Sequence, residues 1–448
     1  MNILSHKSMR HLRYYILMSV LFVLVIVRNV IGVKIPVASF LGVAVMVGLL
    51  CNNEEIVAFI CSMAPFEMTF QYRYMIIICA VFMIMKNKRF ILKSILPIVF
   101  MLVWDYMHYI NEGVAISSFM RACGVLLGVG TVLMIKPINY SDGLPIRSFS
   151  ICTLFSCVVT LFVNRGLTGY SFASSDRLGS TYDMAESYNA LLNPNVGSFL
   201  CVLSICGLVL LLKYGSNKYT DISIIAALSV FVLLFQSKSA MISLAFAIII
   251  YLYANNKNWI MPTLRIIGLL ILIGILGFIF FRRAIEGVLL RFVAGDFSTG
   301  RVGIFGFYHS YLFSDPKHYL FGIGLFDYAG RIAAQLSRSV LENSHAVTYV
   351  NDKLVLIVSH NNLQEILLVW GVPGVILVGW LLRSMVRHKR NNRTIMHYLA
   401  FYFILLYTLQ GQLLSSNVVL IGLIFSLVCM EYQKDTPSEM IKAILNRK

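Results

Sequence analysis

Long apolar blocks alternate with short polar turns along almost the whole chain. A helix needs about 17–25 mostly apolar residues to cross a bilayer. Blocks of about that length fall at 14–33, 35–51, 68–85, 90–110, 115–135, 148–163, 195–213, 220–236, 239–254, 263–281, 361–382, 394–411 and 415–430. The pattern predicts an all-α fold, one polytopic membrane domain over residues 1–448 with about 12–14 transmembrane helices. Two polar stretches are too long to be turns, and 164–194 and 282–360 are expected to be large extracytoplasmic loops. Loops longer than about 12–15 residues usually carry function or are disordered.

Composition agrees with this class: 58% of the residues are hydrophobic and 13% charged, far from the balance of a soluble domain. The first apolar run follows Lys7, Arg10 and Arg13 without a small-residue cleavage site, so it is expected to be a retained span rather than a signal peptide. Arg28 and Arg121 interrupt two spans and are read as structural residues that face the bundle interior or snorkel. The nine cysteines lie within or beside apolar runs with no metal-type spacing, so they read as core filler, with neither disulfides nor zinc indicated.

Charge gives the orientation. The net charge of +17 resides largely in short loops, the positive-inside pattern, so it implies no nucleic-acid partner. The loop from Arg383 to Arg393 carries five basic residues and no acid, and is expected to be cytoplasmic. Lys86, Lys88, Arg89 and Lys93 mark a second cytoplasmic turn, and Lys136 with Arg147 a third. The turn Gln236-Ser237-Lys238-Ser239 then falls on the outer side with the two large loops. Thirteen spans with a cytoplasmic C-terminus would place Lys7, Arg10 and Arg13 outside. An additional short span or re-entrant hairpin near 56–70, where Glu54, Glu55, Pro65, Glu67 and Arg73 break the hydrophobic pattern, restores both termini to the inside.

The most informative polar stretch is Ser359-His360-Asn361-Asn362-Leu363-Gln364-Glu365, at the mouth of an apolar run continuing through Gly371 and Gly374 to Leu382. As a helix it puts His360, Leu363, Gln364 and Leu367 on one side, while Gly371, Gly374 and Gly379 allow close helix packing. The same residues read equally as a plain cap of a transmembrane helix. Loop 164–194 holds Arg165, Asp176, Arg177, Asp183, Glu186, three tyrosines and Asn193-Pro194-Asn195. Loop 282–360 holds Arg282, Arg283, Arg291, Arg301, Arg331 and Arg338 with His309, His318, His345 and His360. Its apolar pieces, Gly303–Phe313 and Tyr319–Phe326, are expected to form amphipathic helices at the membrane surface.

An Arg-rich outer face suits a lipid-linked pyrophosphate, because charge develops on the leaving oxygen and the planar guanidinium binds phosphate oxygens in pairs. An imidazole can take a proton from an acceptor hydroxyl at neutral pH, and a helix starting just after His360 would aim free N–H groups at phosphate. No Asp-x-Asp run stands near the outer mouth, so side chains are expected to supply the positive charge, with no metal and no cofactor. Each loop Arg taken singly reads as a surface or headgroup-anchoring residue, and His309, His318 and His345 singly read as solvated residues.

The run from His360 through Leu363 to Gly371 and Gly374 resembles the His-Asn-x-x-Leu…Gly-x-x-Gly signature of the O-antigen ligase and polysaccharide polymerase superfamily. Ser298-Thr299-Gly300-Arg301, Asp315-Pro316 and Phe321-Gly322-Ile323-Gly324 resemble that family's outer-loop segment. Asn193-Pro194-Asn195 and Gln236-Ser237-Lys238-Ser239 match two further landmarks, in the right order over roughly residues 190–380. The resemblance implies a metal-independent, inverting glycan transfer at the outer leaflet of a bacterial cytoplasmic membrane. It gives His360 the place beside the acceptor and Arg301 a pyrophosphate contact; Asn361 and Gln364, in the same polar stretch, are expected to bind substrate. Lys238 stands where the family has Arg, keeping the charge without the bidentate fork; Arg177 or Arg291 could make the missing contact.

The reading favoured is a repeat-unit polymerase that moves a growing glycan from undecaprenyl pyrophosphate to the non-reducing end of another lipid-linked repeat. Its partners are then that lipid-linked oligosaccharide, membrane lipids, and a flippase and chain-length regulator of the same pathway. A ligase acting on lipid A core or another acceptor shares the donor chemistry. A transporter or lipid-linked-oligosaccharide flippase would instead place ionisable residues around a midplane site between repeated halves; no such repeat is seen.

Overall fold

The computed structural model describes residues 11–66, 72–86, 99–100, 103–104, 106–108, 143–169, 178, 192, 194–214, 218–237, 240–241, 244–245, 261, 301–324, 328–344, 346–350, 353–357, 359 and 361–387. Helix makes up 85% of it, in keeping with the helical class expected. Three helices among the described residues are long and apolar enough to cross a membrane: Leu12–Asn29, Leu144–Val163 and Lys218–Phe235. The candidate spans at 115–135, 263–281, 394–411 and 415–430 lie outside the described residues.

Helix α1 (Leu12–Asn29) is apolar on every side. Tyr14, Met18, Leu21 and Val25, spaced by three and four, are buried, yet Ile16, Val20 and Val23 on the opposite face are about half exposed. Such a helix suits an apolar solvent on its outer face rather than water. Helix α2 (Val37–Leu50) packs back on it, and the short helix α3 (Asn53–Ser62) follows. The polar residues that interrupt the hydrophobic pattern here start α3. Asn52 and Glu55 form a capping box, satisfying two end N–H groups reciprocally, and His11 Nδ1 lies 2.7 Å from Glu55 Oε1. Every residue of α3 from Glu54 to Ser62 is buried. Helix α4 (Tyr72–Lys86) then brings the chain back, with Lys86 Nζ donating to the carbonyl of Cys51. The Lys86 side chain thus reaches back to the residue just before the cap of α3.

Helix α5 (Leu144–Gly169) packs on α3 and on α6 (Pro194–Tyr214), which pairs along its length with α7 (Lys218–Phe235). At one end Arg147 grips the fully buried Asp221 with two parallel bonds, Nε to Oδ1 and Nη2 to Oδ2, both 3.0 Å. Arg147 is thus one half of an ion pair, not a free loop charge. These seven helices share one apolar core.

A second apolar core gathers α8 (Arg301–Ser314), α9 (Pro316–Phe321), α10 (Tyr328–Gln335), α11 (Arg338–Asn343), the strands β1 (Val347–Val350) and β2 (Lys353–Leu356), and the first half of α12 (Asn362–Arg387). The strands form an antiparallel hairpin with Val347 opposite Leu356 and Val350 opposite Lys353. This hairpin departs from the purely helical expectation. Thr348, Tyr349, Val350 and Val355 are the β-branched and aromatic residues that fit a pleated surface.

The segment expected as one span over 361–382 is not one straight helix. Gly371 interrupts α12 at φ 65°, ψ −161°, a conformation almost confined to glycine. The residues before the break belong to the second core: Ile366, Leu368, Val369 and Trp370 are buried there. Pro373 explains why a break is tolerated, since it lacks the N–H that would bond Val369 O in a regular helix. Gly324 N–H takes its place at 3.0 Å, and Ile323 N–H bonds Leu368 O at 2.7 Å. Gly322, Gly324 and Gly371 all have positive φ, and Gly322 and Gly371 lie against each other. The turn Gly322-Ile323-Gly324 thus docks on the break as a substitute for the missing helix bonds.

Candidate functional site

The landmarks group into two places, one on each core. The first lies at the end of the α6–α7 pair opposite Arg147. Helix α7 stops at Gln236, a buried residue in left-handed conformation (φ 51°), and Met241 N–H then bonds Ser237 O to start another helical turn. Ser237 Oγ donates to Asn195 Oδ1 at 3.3 Å, joining the Gln-Ser-Lys-Ser turn to the Asn-Pro-Asn landmark. Leu178, the residue after Arg177, donates its N–H to Leu234 O at 3.0 Å. Leu178 is thereby tied beside the same turn. Lys238 and Arg177 themselves lie outside the described residues.

The second place is the start of α12. Asn361 caps it: its Oδ1 accepts from Leu363 N at 3.0 Å and Gln364 N at 3.2 Å, and its carbonyl accepts from Glu365 N at 2.8 Å. Asn361 and Gln364 have the spacing of a capping box, but the Gln364 side chain is used elsewhere. Its Nε2 donates to Phe305 O at 3.0 Å, and its Oε1 accepts from Ser359 Oγ at 2.9 Å. Phe305 is one turn into α8, whose first residue is Arg301, about 6 Å away along the helix axis. Gln364 therefore couples the helix that begins with Arg301 to the helix that begins after His360. His360 and Arg291 lie outside the described residues, and Arg301 is described only as the start of α8.

Two further residues, Tyr328 and Glu365, complete this place. Tyr328, from α10, accepts the backbone N–H of Ser359 at 2.9 Å and donates to Glu365 Oε1 at 3.4 Å. Glu365 is fully buried in the first turn of α12, where the helix dipole favours a negative charge. Burial, and then the Glu365 charge, hold the Tyr328 phenol well above its ordinary pKa, so it stays a neutral donor. An acid in a first turn after an Asn cap is a readable helix-start signal; Tyr328 gives no signal, because its role arises only from folding.

The other histidines and arginines between 301 and 345 sort by contact. His318 donates Nδ1–H to Tyr311 O at 3.0 Å and stacks on the Tyr311 ring, with centroids 4.3 Å apart. His309 is exposed against Phe313. Arg331 Nη2 donates to Gly324 O at 3.3 Å, bracing the docked glycine turn, and Arg338 pairs with Glu342 on the surface. His345 lies outside the described residues. No family model matches the chain, and no curated protein matches it.

Proposed function

We propose that this chain is a polytopic protein of a bacterial cytoplasmic membrane and a glycosyltransferase: a repeat-unit polymerase working at the outer face on undecaprenyl-pyrophosphate-linked glycans. The observation that carries the reading is the coupling of its landmarks. Gln364 binds Phe305 O, 59 residues away, and the turn Gly322-Ile323-Gly324 binds Leu368 and Val369, 45 residues away, so segments that carry the resemblance are in contact, which supports the reading. The pairing of Ser237 with Asn195 joins the other two landmarks.

In this reading the acceptor hydroxyl attacks the anomeric carbon of the donor glycan from the face opposite the pyrophosphate. The new carbon–oxygen bond forms as the bond to the pyrophosphate oxygen breaks, with inversion, and the leaving group keeps the electron pair. His360 takes the acceptor's proton. Arg301, with Lys238 and Arg177 or Arg291, neutralises the pyrophosphate as its charge grows. Asn361 and Gln364 hold the helix start in place. No bound metal or cofactor enters the scheme. The lipid tail stays in the bilayer, and a flippase and chain-length regulator would supply the repeat and set the product length.

The test is polymerisation by purified protein in detergent with a synthetic undecaprenyl-pyrophosphate-linked repeat, in the presence of a chelator. A ladder of longer glycans that disappears in Arg301→Ala supports the reading. Absence of a ladder with a folded protein, followed by transfer to an added acceptor, would replace the polymerase with a ligase. Absence of both would remove the enzyme altogether.

A further inference from the structure

We infer that Tyr328 and Glu365 are a positioning pair that holds Ser359, the residue before His360 in the sequence, against the first turn of α12. The inference rests on the polymerase reading for its catalytic consequence and on the hydrogen bonds alone for its geometry.

Both neighbours of His360 are pinned. Before it, the N–H of Ser359 is held by the Tyr328 hydroxyl and its Oγ by Gln364 Oε1. After it, Asn361 is tied into the first turn of α12 through its side chain and its carbonyl. Tyr328 reaches Ser359 from another helix, 31 residues earlier in the chain, and its ring packs edge-to-face on Tyr308, 6.0 Å between centroids. Tyr308 in turn donates to Ile357 O at 2.7 Å, two residues before Ser359. Ile357 and Ser359 are therefore held from α8 and α10 respectively.

Neither Tyr328 nor Glu365 is placed to touch a substrate. Tyr328 is 3% exposed and Glu365 not at all, so whatever they contribute passes through the backbone they hold. A carboxylate kept out of water is costly unless it is hydrogen-bonded or paired. Here one oxygen orients the phenol whose lone pair receives the Ser359 N–H. A catalytic group displaced by a fraction of an ångström loses rate without losing substrate binding. The pair therefore governs turnover rather than affinity.

Two variants and two readouts test this. Tyr328→Phe removes only the hydroxyl; Glu365→Gln keeps an acceptor for that hydroxyl and serves as the conservative control. Hydrogen–deuterium exchange of the full-length protein in detergent is expected to quicken at least tenfold in peptides covering 357–365 of Tyr328→Phe, with 305–314 unchanged. In the chelator assay the same variant is expected to lose about tenfold in kcat with KM within twofold, a loss of preorganisation rather than binding. Glu365→Gln is expected to keep most of the wild-type kcat, and Glu365→Ala to lose it as Tyr328→Phe does.

Unchanged exchange over 357–365 in Tyr328→Phe would overturn the inference, as would faster exchange with undiminished kcat. Should Tyr328→Phe not fold, the contrast between Glu365→Gln and Glu365→Ala decides: equal kcat in the two overturns the pair. Faster exchange confined to 357–365 in a protein whose wild type builds no ladder upholds the positioning geometry and removes the polymerase reading instead.

Discussion

Gly322 and Gly371 are packed backbone to backbone. A Cβ added to Gly322 would lie 2.7 Å from Gly371 N, and one added to Gly371 would lie 2.8 Å from Gly322 N. Both residues have positive φ, and the bonds from Ile323 and Gly324 to Leu368 and Val369 depend on this contact. Gly371→Ala or Gly322→Ala is therefore expected to cost roughly 2–4 kcal/mol, the sum of backbone strain and a steric clash. The measurement is thermal unfolding in detergent.

Pro373→Ala provides the contrast. It restores an N–H to α12, but Val369 O already has Gly324 as its donor. Its effect on stability is expected to stay under about 1 kcal/mol, read by the same unfolding assay. A loss as large as that of Gly371→Ala would mean that Pro373 itself makes the break.

Asn361 acts through its cap. Asn361→Ala is expected to lose about 1 kcal/mol, and Asn361→Asp to retain most of it, since aspartate caps equally well. Exchange at the amides of Leu363 and Gln364, the two that Asn361 Oδ1 binds, is the direct readout.

The ion pair on the first core behaves differently. Asp221→Ala leaves the Arg147 guanidinium, 18% exposed, without its fork partner and is expected to destabilise by about 3–5 kcal/mol. Arg147→Met combined with Asp221→Leu is expected to recover most of the loss. Unfolding of the single and double variants gives the coupling directly.

Cys157 and Cys201 test the packing of α5 on α6. Their sulfurs are 3.5 Å apart, so a protein keeping only these two cysteines is expected to form an intramolecular disulfide with copper phenanthroline. Absence of cross-linking in folded protein would contradict the pairing of these two helices.

How much of this was readable beforehand differs from element to element. The long apolar blocks gave the helical class, because a run such as 12–29 has no other stable form in an apolar solvent. The short helix Asn53–Ser62 was signalled by Glu54 and Glu55, which looked like interruptions and are in fact a helix start. The break at Gly371 was hidden because apolar residues at 366–370 look the same whether they face lipid or a protein core. The two strands were hidden by their length: four residues of Val347–Val350 carry too little period to separate strand from loop. At the site, local spacing revealed the stretch from His360 to Glu365. It could not reveal Gln364 reaching Phe305, or Tyr328 reaching Ser359, since those contacts join residues 59 and 31 positions apart.

The central claim is that Arg301 and His360 act together on a lipid-linked pyrophosphate at the outer face. The most direct measurement is ladder formation from the synthetic undecaprenyl-pyrophosphate-linked repeat with chelator present, comparing wild type, Arg301→Ala, His360→Ala and Lys238→Arg. A ladder is expected from wild type and Lys238→Arg, and none from the two alanine variants despite normal folding and membrane levels. A normal ladder from His360→Ala or Arg301→Ala would contradict it.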